Sequence, residues 1–454
     1  MDLRSYSMRS TLGWLFALLF VLGACSSVAS SKGLAASVDR ADGLASTPPP
    51  EATEILEEEI AALRGRLQGT PLPIGWSRIP HDEAVFGDEG GEEMWSVVSG
   101  GPGLVAVGVS GAEDGTNAAV WTSVDGITWS RVPHDMDVFG EAEMRSVTVG
   151  GPGLVAVGLG GSSYDDNWDA AVWTSVYGIV WSRVPHDMDV FGEAEMRGVT
   201  VGGPGLVAVG QDGTGYTDEG RPGRRDAAVW TSVDGITWSR VPFDEEVFGG
   251  PSNQSMVSVT VGGPGLVAVG WDDGNAAVWT SVDGIAWSRV PHDESVFGRV
   301  GRPSMVSVTA GGPGLVAVGS DASDAAVWTS IDGLTWSRVP HDESVFGEPG
   351  LLRMTAVTAT ESGLVAVGFE RPGGTSPVGF GVDDIVEAAA VWTSIDGITW
   401  VRVPHDQTAY GAQDNQEMLS VTVWGRGLVA VGQVGAAYYR GYPSLHAAVW
   451  VTTP

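Results

Sequence analysis

The sequence predicts an all-β fold, a seven-bladed β-propeller of four-stranded antiparallel blades, on three observations. The hexad Gly-Leu-Val-Ala-Val-Gly recurs from Gly103, Gly153, Gly205, Gly265, Gly314, Gly363 and Gly427, at spacings of 50, 52, 60, 49, 49 and 64 residues. A period in this range belongs to propellers, solenoids or arrays, and strand-like repeats rich in turn glycines select the propeller. The third observation is the phase of the repeat. The first copy is a lone fourth strand, Trp76-Ser77-Arg78-Ile79-Pro80, and the last is a lone third strand, Ala447-Ala448-Val449-Trp450. Each end supplies what the other lacks, so the N-terminal strand is expected to complete the last blade and remove both sheet edges.

Within a unit the elements follow in order. The first strand resembles Met144 to Val149, polar and apolar in alternation. The second is the hexad, apolar throughout and so expected to be buried on both faces. The third is Ala-Ala-Val-Trp-Thr-Ser, as at Ala118 to Ser123, and the fourth Thr-Trp-Ser-Arg-Val-Pro, ended by residues such as Pro133. Proline is tolerated at a sheet edge, which makes the fourth strand outermost. The third and fourth are joined by Ser-x-Asp-Gly-x-Thr-Trp, from Ser123, Ser232, Ser281, Ser330 and Ser394. Ala286 replaces Thr in the Ser281 copy, and a weaker copy from Ser175 carries Tyr177 and Val180. Asp and Ser can bond turn amides while Gly supplies positive φ, so the motif is structural.

This joint resembles the Asp-box repeat of sialidase-type propellers, one residue shorter than its commonest form. That resemblance implies a propeller, and a sialidase-like glycoside hydrolase as one possible activity. Such enzymes resemble the chain in their Asp-boxes but use six blades, three Arg on the substrate carboxylate, a Tyr–Glu nucleophile pair and an acid Asp. Arg78 stands in a similar Arg-Ile-Pro step, yet Arg131, Arg183, Arg240, Arg289, Arg338 and Arg402 occupy the same repeat position. A catalytic Arg is not needed seven times. The expected role is to cover the Trp two residues earlier on the same strand.

The N-terminus reads as an address. Arg4 and Arg9 precede a short apolar run from Leu12 to Leu22, and Leu22-Gly23-Ala24-Cys25 resembles the bacterial lipobox. Residues 1–24 are therefore read as a lipoprotein signal peptide, with Cys25, the only Cys, as the lipid-attachment residue. Residues 25–50, ending in three prolines, read as a flexible spacer. Residues 51–70 read as an amphipathic helix with Leu56, Ile60, Leu63 and Leu67 on one stripe, lying against the propeller in preference to oligomerising. The propeller spans 71–454. The expected location is extracytoplasmic, held to a bacterial membrane by the lipid anchor.

A net charge of −32, with Lys32 the sole lysine, excludes nucleic acid as a partner. Six of the seven His stand in Pro-His-Asp steps (His81, His134, His186, His292, His341, His405), with Phe243-Asp244 in the seventh. Copies on separate blades cannot converge on one ion, so a shared structural hydrogen bond is expected there. No metal site, cofactor or catalytic residue is assigned, and the chain is read as a monomer. Binding is expected on the 2–3 loops, where the copies differ. The candidate ligand-binding residues are Tyr164, Trp168, Tyr216, Arg221, Trp271, Asp272, Arg371, Tyr438, Tyr439, Arg440 and Tyr442. Asp165, Asp166, Asp218, Arg224, Arg225, Asp383, Asp384 and His446 are the other unshared residues. The preferred function is a binding or scaffold module for a glycan or protein ligand. The alternatives are the sialidase-like hydrolase and a membrane-complex assembly factor.

Overall fold

The computed structural model describes residues 74–452 apart from 88–90, 113–114, 162–167, 214–222, 299–300, 348–349, 373–386, 405–414 and 440–441. The expected signal peptide with Cys25, the expected spacer and the expected helix lie outside the described residues. Among the described residues no helix is long and apolar enough to cross a membrane.

Seven four-stranded antiparallel sheets form the ring. Blade 1 comprises Glu93–Gly100, Gly103–Ala112, Gly115–Ser123 and Trp129–Arg131. The last blade comprises Asn415–Trp424, Gly427–Tyr439 and Tyr442–Thr452, and the N-terminal Trp76–Arg78 pairs beside Tyr442–Thr452, with Arg78 opposite Trp450. Closure continues at the next boundary. Val97 N–H donates to Ser420 Oγ at 3.3 Å, and Ser99 Oγ donates to the Val423 carbonyl at 2.6 Å.

The core lies between blades. Along the second strand Val105 and Val107 pack toward blade 2, against Met144, Leu154, Ala156 and Trp173, while Leu104 and Ala106 pack back against Val429, Val431 and Val449 of the last blade. Both faces of the hexad are thus covered, which is why it tolerates no polar residue.

The 3–4 hairpins follow the chemistry of their motif. In blade 1, Ser123 Oγ accepts from Gly126 N–H at 2.9 Å, and Asp125 Oδ1 accepts from the Ile127 and Thr128 amides at 2.8 and 2.6 Å. Gly126 has φ +79° and Trp129 Nε1 donates to its carbonyl. The copy with Tyr177 keeps the Ser175 and Trp181 bonds without the Asp.

The fourth-to-first connections are more structured than the sequence suggests. Asp82 caps a one-turn helix, Glu83–Phe86, by accepting from Ala84 N–H, and the same turn recurs at Met136–Phe139, Met188–Phe191, Glu294–Phe297 and Glu343–Phe346. The helix buries Phe86, and its Val85 carbonyl accepts from Trp121 Nε1, the fully buried Trp of the third strand, at 2.7 Å. The repeated hydrogen bond of the Pro-His-Asp step therefore belongs to Asp, which explains why Phe243 can replace His while Asp244 still bonds Glu246 N–H. The described His rings of these steps are tilted against the helix Phe, with His134 and Phe139 centroids 6.2 Å apart, and three of them also reach the side chain two residues on, His134 at Met136 Sδ, His186 at Met188 Sδ and His341 at Glu343 Oε2.

The repeated Arg also needs correction. Its guanidinium lies over the Trp of the third strand and not over the Trp two residues earlier: Arg131 is 5.8 Å from the Trp121 ring and Arg240 5.4 Å from Trp230. Register is the reason, since Arg131 sits directly opposite Trp121 across the sheet.

Candidate functional site

The first strand of every blade lines the central channel, and every one carries a β-bulge. The register slips between Met94 and Ser96, Met144 and Ser146, and Met196 and Gly198 in blades 1 to 3. It slips at the equivalent step in the other four. A bulge leaves one residue unpaired and re-aims its side chain. Here the methionine before it is buried between blades, and the bulged residue lines the channel. The last Gly of the hexad makes this possible. A methyl group on Gly108, Gly158 or Gly210 would overlap the carbonyl oxygen of Glu93, Glu143 or Glu195 across the strand pair.

The bulges share a backbone but not a chemistry. Blades 1 to 3 present Trp95, Arg145 and Arg197; blades 4 to 7 present Val257, Val306, Thr355 and Leu419. The result is a channel-mouth cavity of about 550 Å³ whose bulged residues are aromatic or basic in blades 1 to 3 and mostly aliphatic in blades 4 to 7, where Arg353 and Glu417 also line it. It opens toward the 2–3 loops, because the bulges stand at the start of the first strands.

Across blades 1 to 3 the charged groups form a ladder. Trp95 Nε1 donates to Glu93 Oε2 at 2.7 Å, and the Arg145 guanidinium lies 4.1 Å from the Trp95 ring centroid. Arg145 pairs with Glu143 at 2.6 Å and Glu195 at 3.4 Å, and Arg197 pairs with Glu195 at 2.9 Å. Gln211 Nε2 donates to Glu195 at 3.0 Å. Burial pushes the Glu93 and Glu143 carboxyls above the usual range. Beside this ladder, between blades 2 and 3, a second cavity of about 280 Å³ is lined by Trp168, Gln211, Arg225, Arg145 and Arg197. Gln211 is 4% exposed; among the described residues its Oε1 and the Arg197 Nε have no hydrogen-bond partner. A buried acceptor and a buried donor left unmade beside a cavity favour a ligand that can both give and take hydrogen bonds.

Near the boundary of blades 6, 7 and 1, Glu417 and Glu387 share a hydrogen bond. Burial, then the neighbouring Glu387, push Glu417 up to about 9. Glu387 is itself opposed by burial, but the bond from Glu417 and the Arg371 guanidinium hold it below its ordinary value. Glu417 is therefore the protonated partner at neutral pH and donates to the Glu387 carboxylate. Its folded-state pKa lies above the unfolded value, so the stability gained from the neutral form is complete below pH 4.5 and is lost as pH rises through about 9. The melting temperature is expected to fall across the upper part of that window, and Glu417→Gln to flatten the fall. Calorimetry at stepped pH checks this; an unchanged slope in the variant would remove the pair as the cause.

Of the sequence candidates, Trp168 lines the smaller cavity. Asp272 pairs with Arg289 and accepts from Gln254 Nε2 at 2.7 Å, so it serves the blade. Arg371 is committed to Glu387, and Trp271 is half-buried at the end of its strand, opposite Ser255 and Ala276. Arg224, also unshared, is bound to Asp226 and Glu245. The backbones of Tyr439 and Tyr442 pair with each other at the end of a long hairpin that also carries Tyr438. Tyr164, Tyr216, Arg221 and Arg440 lie outside the described residues. The structure thus gathers Trp168 with Arg225, and adds Trp95, Arg145, Arg197, Glu195 and Gln211, which sequence reasoning missed. The missed signal was the variable residue after each first-strand Met. Among the described residues no group of three or more His, Cys, Asp or Glu is placed to hold a metal ion.

No family model and no curated protein matches the chain. Among solved structures it is similar to a protein of unknown function from Dyadobacter fermentans, at 12% identity and TM-score 0.44, covering 84% of this chain and 100% of that one. It is also similar to the Trypanosoma rangeli sialidase in complex with sialic acid, at 14% identity and TM-score 0.41. That match covers 83% of this chain and 57% of the sialidase chain. A third similar structure is Sqt1 from Chaetomium thermophilum, at 10% identity and TM-score 0.43, with 79% and 86% covered.

Proposed function

We propose that this chain is a ligand-binding propeller of a lipid-anchored extracytoplasmic protein, and that it takes a glycan at the channel mouth on the 2–3 loop side. One observation carries the reading: seven equivalent bulges hold unequal side chains, so a near-symmetric scaffold has one asymmetric place. Paired guanidinium and carboxylate groups of Arg145, Glu195 and Arg197 suit hydroxyl groups, and the adjoining smaller cavity, which shares these three residues, adds the Gln211 acceptor and the Trp168 ring. A protein segment is the other ligand compatible with this surface. Cys25 is the anchor in this reading.

The test is a glycan array probed with the full chain carrying Cys25→Ser, with Trp168→Ala and Arg197→Ala as variants. Each variant is expected to weaken binding about tenfold, the loss of one good contact. A blank array, or binding untouched by both variants, would sink the glycan reading and leave a protein ligand.

Hydrolysis is the second reading, and Glu417 favours it as a carboxyl kept protonated at the cavity wall. Against it, glycosidase carboxyls stand about 5–9.5 Å apart to flank a bond, whereas Glu417 and Glu387 bond each other. Turnover of a fluorogenic sialoside that disappears in Glu417→Gln would reverse the order of the two readings.

A further inference from the structure

The opposite face of the propeller carries a second surface, independent of the channel site. Among the described residues, most of the exposed large apolar side chains lie on the face of the 3–4 hairpins and 1–2 turns. At the same hairpin position Ile127, Ile179, Ile236, Ile285, Leu334 and Ile398 are 52–61% exposed. At the inner end of the first strands, four of the seven blades expose a valine on that face, Val149, Val201, Val261 and Val423. Six hairpins make the outer ring, because the last blade is closed by the N-terminal strand and has no 3–4 hairpin. In blades 1 to 5 the backbone of the 1–2 turn packs beneath the next hairpin, so a methyl on Gly151 or Gly263 would meet the carbonyl oxygen of Asp234 or Asp332. The turn polar groups are spent locally: Asp125, Asp234, Asp283, Asp332 and Asp396 accept from their own turn amides through Oδ1. What remains outward is aliphatic surface dotted with carboxylate Oδ2 atoms, which in four of the five hairpins accept one bond from the Thr Oγ1 of the same turn and keep further acceptor capacity. Aliphatic patches this extensive mark interaction surfaces.

Charge identifies the occupant. Among these described turns and hairpins Arg426 is the one base, against the five Asp and Glu361. A second copy would bring the same carboxylates to face these, on a chain of net charge −32. A bilayer surface is engaged through many Trp, Lys and Arg, whereas on this face only Trp424 and Arg426 of one 1–2 turn are of that kind and the hairpin tips hold neither. We infer that the hairpin face docks a separate polypeptide presenting aliphatic side chains flanked by Lys or Arg. The aliphatic residues seat between the hairpins, and the bases reach the Asp Oδ2 atoms.

Three synthetic peptides test this with the full chain carrying Cys25→Ser: an amphipathic Leu/Lys helix, its Leu/Glu counterpart, and a Lys/Ser peptide of the same charge. Calorimetric titration is expected to give the Leu/Lys peptide an affinity about tenfold above either other one. The triple variant Ile127→Ser, Ile236→Ser, Ile285→Ser removes that advantage, while Phe243→Ala on the other face leaves it. Should the triple variant not fold by circular dichroism, Ile236→Ser and Leu334→Ser singly are each expected to weaken binding about threefold. Equal binding of the Lys/Ser peptide would overturn the inference. So would a dimer in sedimentation equilibrium that the variant abolishes, or flotation with phosphatidylcholine vesicles in the absence of peptide selectivity.

Discussion

Replacing Trp76 with alanine is expected to destabilise the propeller by about 3–5 kcal/mol, the range for deleting a buried Trp side chain, and to make it self-associate. Trp76 is 6% exposed and packs with Met418, Trp450 and Val367 in the core between blades 6 and 7. Its three-residue strand covers the edge of Tyr442–Thr452, and Ile79 N–H extends the pairing by donating to the Val449 carbonyl at 2.9 Å. Without that strand the last sheet ends in an open row of backbone groups, a template for another chain. Trp129→Ala is the control, since Trp129 holds the same motif position, equally buried, in a blade built from one continuous segment. Denaturant unfolding should show losses of similar size for both. Light scattering near the transition should rise for Trp76→Ala alone. Matching scattering curves would mean that closure adds nothing beyond local packing.

That strand was legible because the repeat itself announced its phase: a fourth strand without a third at one end, a third without a fourth at the other. The blade order, the inward hexad and the turn chemistry of Ser123, Asp125 and Gly126 followed from period, hydrophobicity and turn propensity alone. Three things did not. The one-turn helix at Glu83–Phe86 is too short to show a helical period, although Asp82 and Gly87 bracket it as caps. The target of the repeated Arg depends on cross-strand register, which places Arg131 opposite Trp121, whereas spacing along the strand points to Trp129. The channel site was hidden for a similar reason. In Glu-Met-Arg-Ser simple alternation puts Glu143 and Arg145 on one face and Met144 and Ser146 on the other, with nothing to mark a bulge. The clue lay in the partner strand, whose final glycine recurs in all seven copies.

That glycine offers a way to separate scaffold from site. Gly210→Ala is expected to destabilise the protein by about 2–3 kcal/mol, as overpacking of a tight contact does. The added methyl would overlap the Glu195 carbonyl oxygen and crowd Met196 Cα, and backbone cannot step aside as a flexible side chain can. Relief requires the bulge to move, which carries Glu195 and Arg197 with it and breaks their 2.9 Å pair and the Gln211 contact. Gly319→Ala in blade 5 meets the same obstacle at the Ser304 carbonyl, but the bulged residue there is Val306. The two variants should therefore lose comparable stability in denaturant titrations while differing in function. At a temperature where both remain folded, Gly210→Ala should lose the glycan signal and Gly319→Ala should keep most of it. Equal loss in both would place recognition in the whole ring, and equal retention would move it away from the charged ladder of blades 1 to 3. Either result would bear on the central physical claim, that duplication fixed the backbone of the channel while divergence at single bulged residues gave one sector of it a chemistry of its own.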